Sequence, residues 1–341
     1  MINTDVVIVG AGPCGLFQVF ELGLLGLKSV VVDSIPRPGG QCSELYPDKP
    51  IYDIPAIPVC TGEELTQNLL KQIEPFDSDM YLGQEVTELV AKKDGSFTVV
   101  TNKGTTISAK AVVIAGGVGS FQPRPIRAEG VEECTGKTLH YRVQNPQQFK
   151  DQNIAIFGGG DSALDWVLAL ADIAQRITLI HRRDEYRAMP SSVLRLRELQ
   201  AAGKLDVIEN AKASRFEHSE GYMTAVTVQP KNGEPVTVPA SHALVFFGLA
   251  PKLGPIAEWG LDINRKTINV DTEKFETSIP GVYAVGDINQ YPGKKKLILC
   301  GFHEAALAAF AIKQRLEPGR KVHVQYTTTS PIMHERLGVE D

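Results

Sequence analysis

Val6-Val7-Ile8-Val9-Gly10-Ala11-Gly12-Pro13-Cys14-Gly15, closed by Asp33, is the stretch that decides how this chain is read. Four β-branched apolar residues read as a buried strand that breaks into Gly-x-Gly-x-x-Gly. The proline-free run from Leu16 to Leu27 reads as the following helix. Gly10 permits a tight turn, Gly12 lets backbone approach a pyrophosphate, and Gly15 lets helix and strand pack closely. Pro13 and Cys14 lie at the start of the helix, whose unpaired N–H groups suit phosphate. Val30-Val31-Val32 is the next strand, and Asp33 at its end suits the hydroxyls of a ribose. Alone, the glycine triplet is a weak signal. Strand, glycines, helix, strand and acid in that order make a dinucleotide site.

The unit occurs twice. Ile154-Ala155-Ile156-Phe157 leads into Gly158-Gly159-Gly160-Asp161-Ser162-Ala163, an apolar helix, and Ile177-Thr178-Leu179-Ile180. The position of Asp33 is taken by His181, followed by Arg182 and Arg183; both lie 23 residues beyond the first glycine (33 − 10 and 181 − 158). An acid accepts a free ribose 2′-hydroxyl and repels a 2′-phosphate, whereas arginines attract one. The first copy therefore reads as an FAD site and the second as an NADPH site, with Arg187 a third candidate for the phosphate. The fold class is α/β.

The bulk properties agree. The 341 residues suffice for two domains, and 43% hydrophobic with 22% charged residues is a globular composition. A net charge of −5 gives no general affinity for nucleic acid. Residues 6–27 are apolar enough to resemble a membrane segment, but the glycines at turn spacing, Asp5 and Glu21 favour strand and helix, and a cytoplasmic protein is expected. Five scattered cysteines make no disulfide framework. No metal site is expected.

Between the glycine units, Pro36 to Gln41 reads as a ligand-approaching loop, Glu63 to Ile73 as a helix with a Thr61-x-x-Glu64 capping box, and Glu85 to Val90, Phe97 to Thr101, Thr105 to Ser108 and Ala111 to Ile114 as strands. Ala243-Leu244-Val245-Phe246-Phe247-Gly248 repeats the strand-to-glycine pattern of Ala111 to Gly117, as if the chain leaves a first domain and returns to it. Further on, Val282-Tyr283-Ala284-Val285-Gly286-Asp287 ends a strand in an acid suited to ribityl hydroxyls, and Gly301 to Glu304 opens a helix from Ala305 to Arg315.

Together these motifs resemble the two-dinucleotide-binding-domain flavoproteins, specifically the thioredoxin-reductase-like ferredoxin–NADP reductases. Gly39-Gly40-Gln41 with Leu45-Tyr46-Pro47, the Gly158 and His181 strings, and Tyr326-Thr327-Thr328-Thr329-Ser330 carry the likeness across almost the whole chain. The resemblance implies two Rossmann-like, three-layer domains: a discontinuous FAD domain over 1–118 and 248–341, and an NADPH domain over 119–247. It implies flavin contacts at Gln41, Tyr46, Val86, Phe121, Asp287 and Thr328, with Tyr46 and Tyr326 stacking on the isoalloxazine. It also implies a homodimer whose C-terminal tail reaches the partner's flavin.

Disulfide reductases of the thioredoxin type need a cysteine pair in the NADPH domain. Only Cys134 lies there, and Cys-x-x-Cys is absent. Electrons are thus expected to pass directly from flavin to a ferredoxin or flavodoxin. Lys294-Lys295-Lys296 reads either as a solvated loop or as a docking patch for such an acidic carrier. Cys14 reads as a small packing residue or as the nucleophile of a low-molecular-weight disulfide reductase. A non-catalytic FAD/NADPH redox sensor is the remaining alternative.

Overall fold

The structure, a computed structural model, describes residues 1–143 and 145–339, without the side chains of residues 120–122 and 249–251. It divides into two compact units, Met1–Phe121 with Pro251–Asp341, and Gln122–Ala250. The chain thus crosses at 121/122 and 250/251, where the sequence suggested 118/119 and 247/248.

In the discontinuous unit the strand Ile2–Val9 lies between Ser29–Asp33 and Thr106–Ile114, parallel to both. Asp79–Leu82 extends the parallel part beyond Ser29–Asp33. Phe97–Thr101 and Val86–Ala91 continue the other side as an antiparallel meander. Alternation along the first strand sends Val6 and Ile8 to one core and Val7 to the other. The helix Pro13–Leu24 covers the first face with Leu16, Val19 and Leu22, none more than 1% exposed. Burying each such side chain contributes about 1.5–3 kcal/mol. Gly15 allows the contact, because a Cβ there would lie 1.9 Å from the Gly10 carbonyl oxygen.

Two strands expected from the sequence, Thr105 to Ser108 and Ala111 to Ile114, form one, Thr106–Ile114. Lys110 lies between them. Its side chain faces outward to Asp5 at 2.8 Å, and the strand runs on beneath it. The first half pairs with the meander and alternates in burial; the second lies between Ile2–Val9 and Val282–Ala284 and is wholly buried.

The inserted unit has a parallel sheet of Leu139–His140, His242–Phe246, Asn153–Gly158, Arg176–Ile180 and Leu205–Ile208. Helices Asp161–Leu170 and Pro190–Ala201 contribute buried leucines to its core. A three-stranded antiparallel sheet, Ala211–Ser219, Tyr222–Pro230 and Val236–Pro239, contributes to a second cluster. Its first strand was not foreseen, because Lys212, Arg215, Glu217 and His218 obscure the apolar alternation. Among the described residues no helix is long and apolar enough to cross a membrane.

Candidate functional site

The glycine turn of the discontinuous unit opens onto a cavity of about 300 Å³. Gly10 turns there at φ +117°, a region that disfavours other residues, and a Cβ would approach the Ala115 carbonyl oxygen to 2.4 Å. A Cβ on Gly12 would meet nothing closer than 3.9 Å, so the turn is open on its cavity side. No side chain caps the helix that begins at Pro13, whereas helix Gly62–Ile73 carries the full Thr61/Glu64 capping box. The uncapped end leaves its first N–H groups for a ligand.

Asp33 also lines the cavity, nine-tenths buried, and accepts from the backbone N–H groups of Ala11 (2.5 Å) and Ile35 (2.7 Å). Burial raises its pKa, and the two N–H groups work against that shift. Gln41, Tyr46, Val86 and Asp287 complete the sequence-derived part of the wall, and Gln41 Nε2 donates to Asp287 at 3.3 Å. Gln41 begins a short helix, Gln41–Leu45, hidden in the sequence by the neighbouring prolines and glycines. Gly15 lies buried behind the turn and not on the wall. Gln84, Ile35, Leu253, Ile256 and Ile298 line it as well and belong to no motif; nothing in their local sequence distinguishes them.

Other expectations fare differently. Tyr326 and Thr328 are exposed and do not line this cavity in their own chain, and the Phe121 side chain lies outside the described residues. The lysine run is not a uniform surface patch. The Lys294 side chain is 2% exposed and ion-paired with the fully buried Glu304, so its charge is not available for docking. Lys295 and Lys296 are exposed, and Lys296 borders the cavity. The reversal for Lys294 comes from the last long helix, which starts at Ile298 rather than near Ala305 and carries Glu304 inside the fold.

Two thiols, Cys14 and Cys42, line the cavity, both free. Desolvation, with the Glu304 and Asp287 carboxylates nearby, pushes Cys14 up to about 12. Desolvation also raises Cys42, against a contact to the Tyr46 hydroxyl at 3.8 Å. Neither is poised as a thiolate at neutral pH. Cys14 fills space between Gly286 and Gly301, where added Cβ atoms would meet its sulfur at 3.0 and 2.2 Å.

In the inserted unit Gly158 abuts the Phe246 carbonyl as Gly10 abuts that of Ala115. The helix Asp161–Leu170 is likewise uncapped, and an added Cβ on Gly160 would meet nothing within 4 Å. Ser162 is exposed in its first turn. Asp161 accepts from Met189 N at 2.9 Å, and Arg187 N donates to Gly159 O at 2.7 Å, which ties the loop after His181 to the glycine turn. The His181 ring stacks on Tyr186, whose hydroxyl donates to Glu209 at 2.9 Å. Burial lowers the His181 pKa, with Arg182 and Arg183 adding to that shift. Arg182, Arg183 and Arg187 are exposed, with no hydrogen-bond or ion-pair partner for their guanidinium groups among the described residues.

Comparison with known proteins bears on these two sites. Residues 4–314 match the pyridine nucleotide-disulphide oxidoreductase family. A protein of Methylibium petroleiphilum named ferredoxin–NADP reductase is 58% identical, over 99% of this chain and 93% of its own length. The solved thioredoxin reductase of Lactococcus lactis is similar in fold at 24% identity and TM-score 0.72, covering 91% of this chain and 98% of its own. A bacillithiol disulfide reductase from Staphylococcus aureus is similar at 18% identity and TM-score 0.73, covering 93% and 100%. The chain belongs to the pyridine nucleotide-disulphide oxidoreductase family, on the branch of proteins named ferredoxin–NADP reductase.

Proposed function

We propose that the chain works as a ferredoxin–NADP reductase, with FAD in the discontinuous unit and NADP(H) on the inserted one. The observation that carries this reading is the convergence of three distant segments on one cavity. The glycine turn with Asp33, the Gln41–Tyr46 helix end and the Gly286–Asp287 turn share its wall. The residues fit FAD. An uncapped helix end and the open Gly12 suit a pyrophosphate, Asp33 retains acceptor capacity for a ribose, and Asp287 suits a ribityl hydroxyl. Tyr46 supplies an aromatic wall, and Ile298 starts a helix whose positive end borders the cavity.

When bound, FAD exchanges a hydride with NADPH and single electrons with a one-electron carrier. The chain's residues hold and orient. Arg182 and Arg183, with Arg187, bind the 2′-phosphate, and the bare helix end behind Gly158, Gly160, Asp161 and Ser162 receives the pyrophosphate. No side chain of the cavity need act as acid or base. Tyr46 covers one ring face, and Tyr326 of a second copy covers the other in a homodimer, in keeping with its exposure within its own chain. The carrier, a ferredoxin or flavodoxin, docks by its acidic surface at Lys295 and Lys296. Five free cysteines suit a reducing compartment, and we place the protein in the cytoplasm.

The raised Cys14 thiol weighs against low-molecular-weight disulfide reduction. The test is an anaerobic titration of the purified protein. NADPH should bleach the visible flavin band stoichiometrically, NADH should do so far less readily, and oxidised ferredoxin should restore the band. A colourless protein that takes up no FAD would sink the assignment, and a flavin that NADPH cannot reduce would leave the sensor reading.

A further inference from the structure

The inward lysine of the basic run supports an inference that rests on the flavin reading above. Glu304, fully buried, accepts from Gly286 N at 2.7 Å, Asn289 Nδ2 at 2.8 Å, Tyr291 OH at 2.9 Å, and Lys294 Nζ. Lys294 in turn donates to the Gly286 carbonyl at 2.9 Å and lies over the Tyr291 ring. One charged partner therefore holds the N–H of Gly286, and the other holds the carbonyl of the peptide that joins it to Asp287. Gly286 is at φ +78°, where its conformation is soft, and Asp287 is the next residue and part of the cavity wall.

A buried ion pair is a poor source of stability, since desolvation of two charges offsets most of their attraction. Its geometry here restrains the two peptide planes that meet at Gly286. We propose that Lys294 and Glu304 are positioning residues that grip Gly286 from both sides and so aim the Asp287 carboxylate into the FAD cavity. Neither lines that cavity, so both act through the turn.

The test is a double-mutant cycle on the flavin-stripped full chain, read as the FAD dissociation constant by quenching of flavin fluorescence. Lys294→Met/Glu304→Gln, a neutral pair of similar size, should weaken FAD binding about tenfold, and Asp287→Ala should do the same. Added to Asp287→Ala, the neutral pair should cost less than about twofold more, because the carboxylate it aims is gone. NADPH affinity should not change. Unchanged FAD binding in the neutral pair, or a full further loss in the Asp287→Ala background, would overturn the proposal. If the neutral pair does not fold, Glu304→Gln alone enters the same cycle under the same criteria. A wild-type chain that binds no FAD would instead bring down the flavin reading.

Discussion

The two glycine turns share one backbone device and differ in the residues stationed at the end of the second strand. In each, a parallel strand ends in a glycine wedged against the carbonyl of its neighbour strand, and an uncapped helix starts there. At the end of the next strand, however, Asp33 is buried and engaged by two backbone N–H groups, while His181 folds over Gly159 beside exposed arginines. The turn suits phosphate in both copies, and on the reading proposed above the position after the second strand sets which nucleotide is preferred. A buried acid that already accepts backbone N–H groups has no tolerance for a second negative charge. Exposed guanidinium groups need one.

The most demanding test of that contrast removes the cations. Arg182→Ala/Arg183→Ala should raise KM for NADPH on the order of 100-fold, from two lost charge-assisted bonds, and leave KM for NADH nearly unchanged. Steady-state kinetics with both nucleotides would show it, and an intact NADPH preference would break the comparison. Next in size, Asp33→Ala should weaken FAD binding about tenfold, since it strands the N–H groups of Ala11 and Ile35 and removes the ribose acceptor. Flavin fluorescence titration reads this, with NADPH binding as the unaffected control. Tyr326→Ala should alter hydride transfer several-fold in stopped-flow traces while FAD stays bound. Unchanged traces would deny it a place at the flavin.

The units should also answer pH in opposite senses. Desolvation lowers the pKa of His140 and of His242, whose rings meet at 3.1 Å, below the ordinary 6.5. The unfolded chain then binds protons first, so this contribution is whole above about pH 6.5 and lost as pH falls. Glu21 of the discontinuous unit is raised by burial from 4.5 to about 7, so its contribution is whole below 4.5 and lost as pH rises through 7. Glu21→Gln should therefore raise the melting temperature by a few degrees at pH 8 and not at pH 4, whereas His140→Gln/His242→Gln should flatten the acid side. Thermal melts across pH would check both. The smallest effect belongs to Cys14→Ser, which should retain ferredoxin-linked turnover within about twofold, as expected of a packing residue.

Much of this was legible in one dimension. Both strand–glycine–helix units, the capping box at Thr61 and the meander strand Phe97–Thr101 follow from local rules of periodicity and turn chemistry. The less regular parts were not. Helix Gln41–Leu45 was obscured by glycines that serve its loop, and the continuous strand Thr106–Ile114 read as two. Part of the cavity wall, from Ile35 to Ile298, comes from ordinary apolar residues that become lining only because the sheet brings them together.

By itself the sequence determined that two strand–glycine–helix turns exist, that an acid follows one and His181 with arginines the other, and that no Cys-x-x-Cys is present. Those are properties of residue type at fixed spacing, and a strand followed by a glycine turn realises them locally. Tertiary structure alone decided that Lys294 points inward and Lys295 outward, that the half-buried Cys14 fills the space between Gly286 and Gly301, and that Asp287 faces Gln41. Such outcomes depend on how the elements pack: a lysine buries its charge only where a carboxylate, here Glu304 ten residues on, is already held inside the fold.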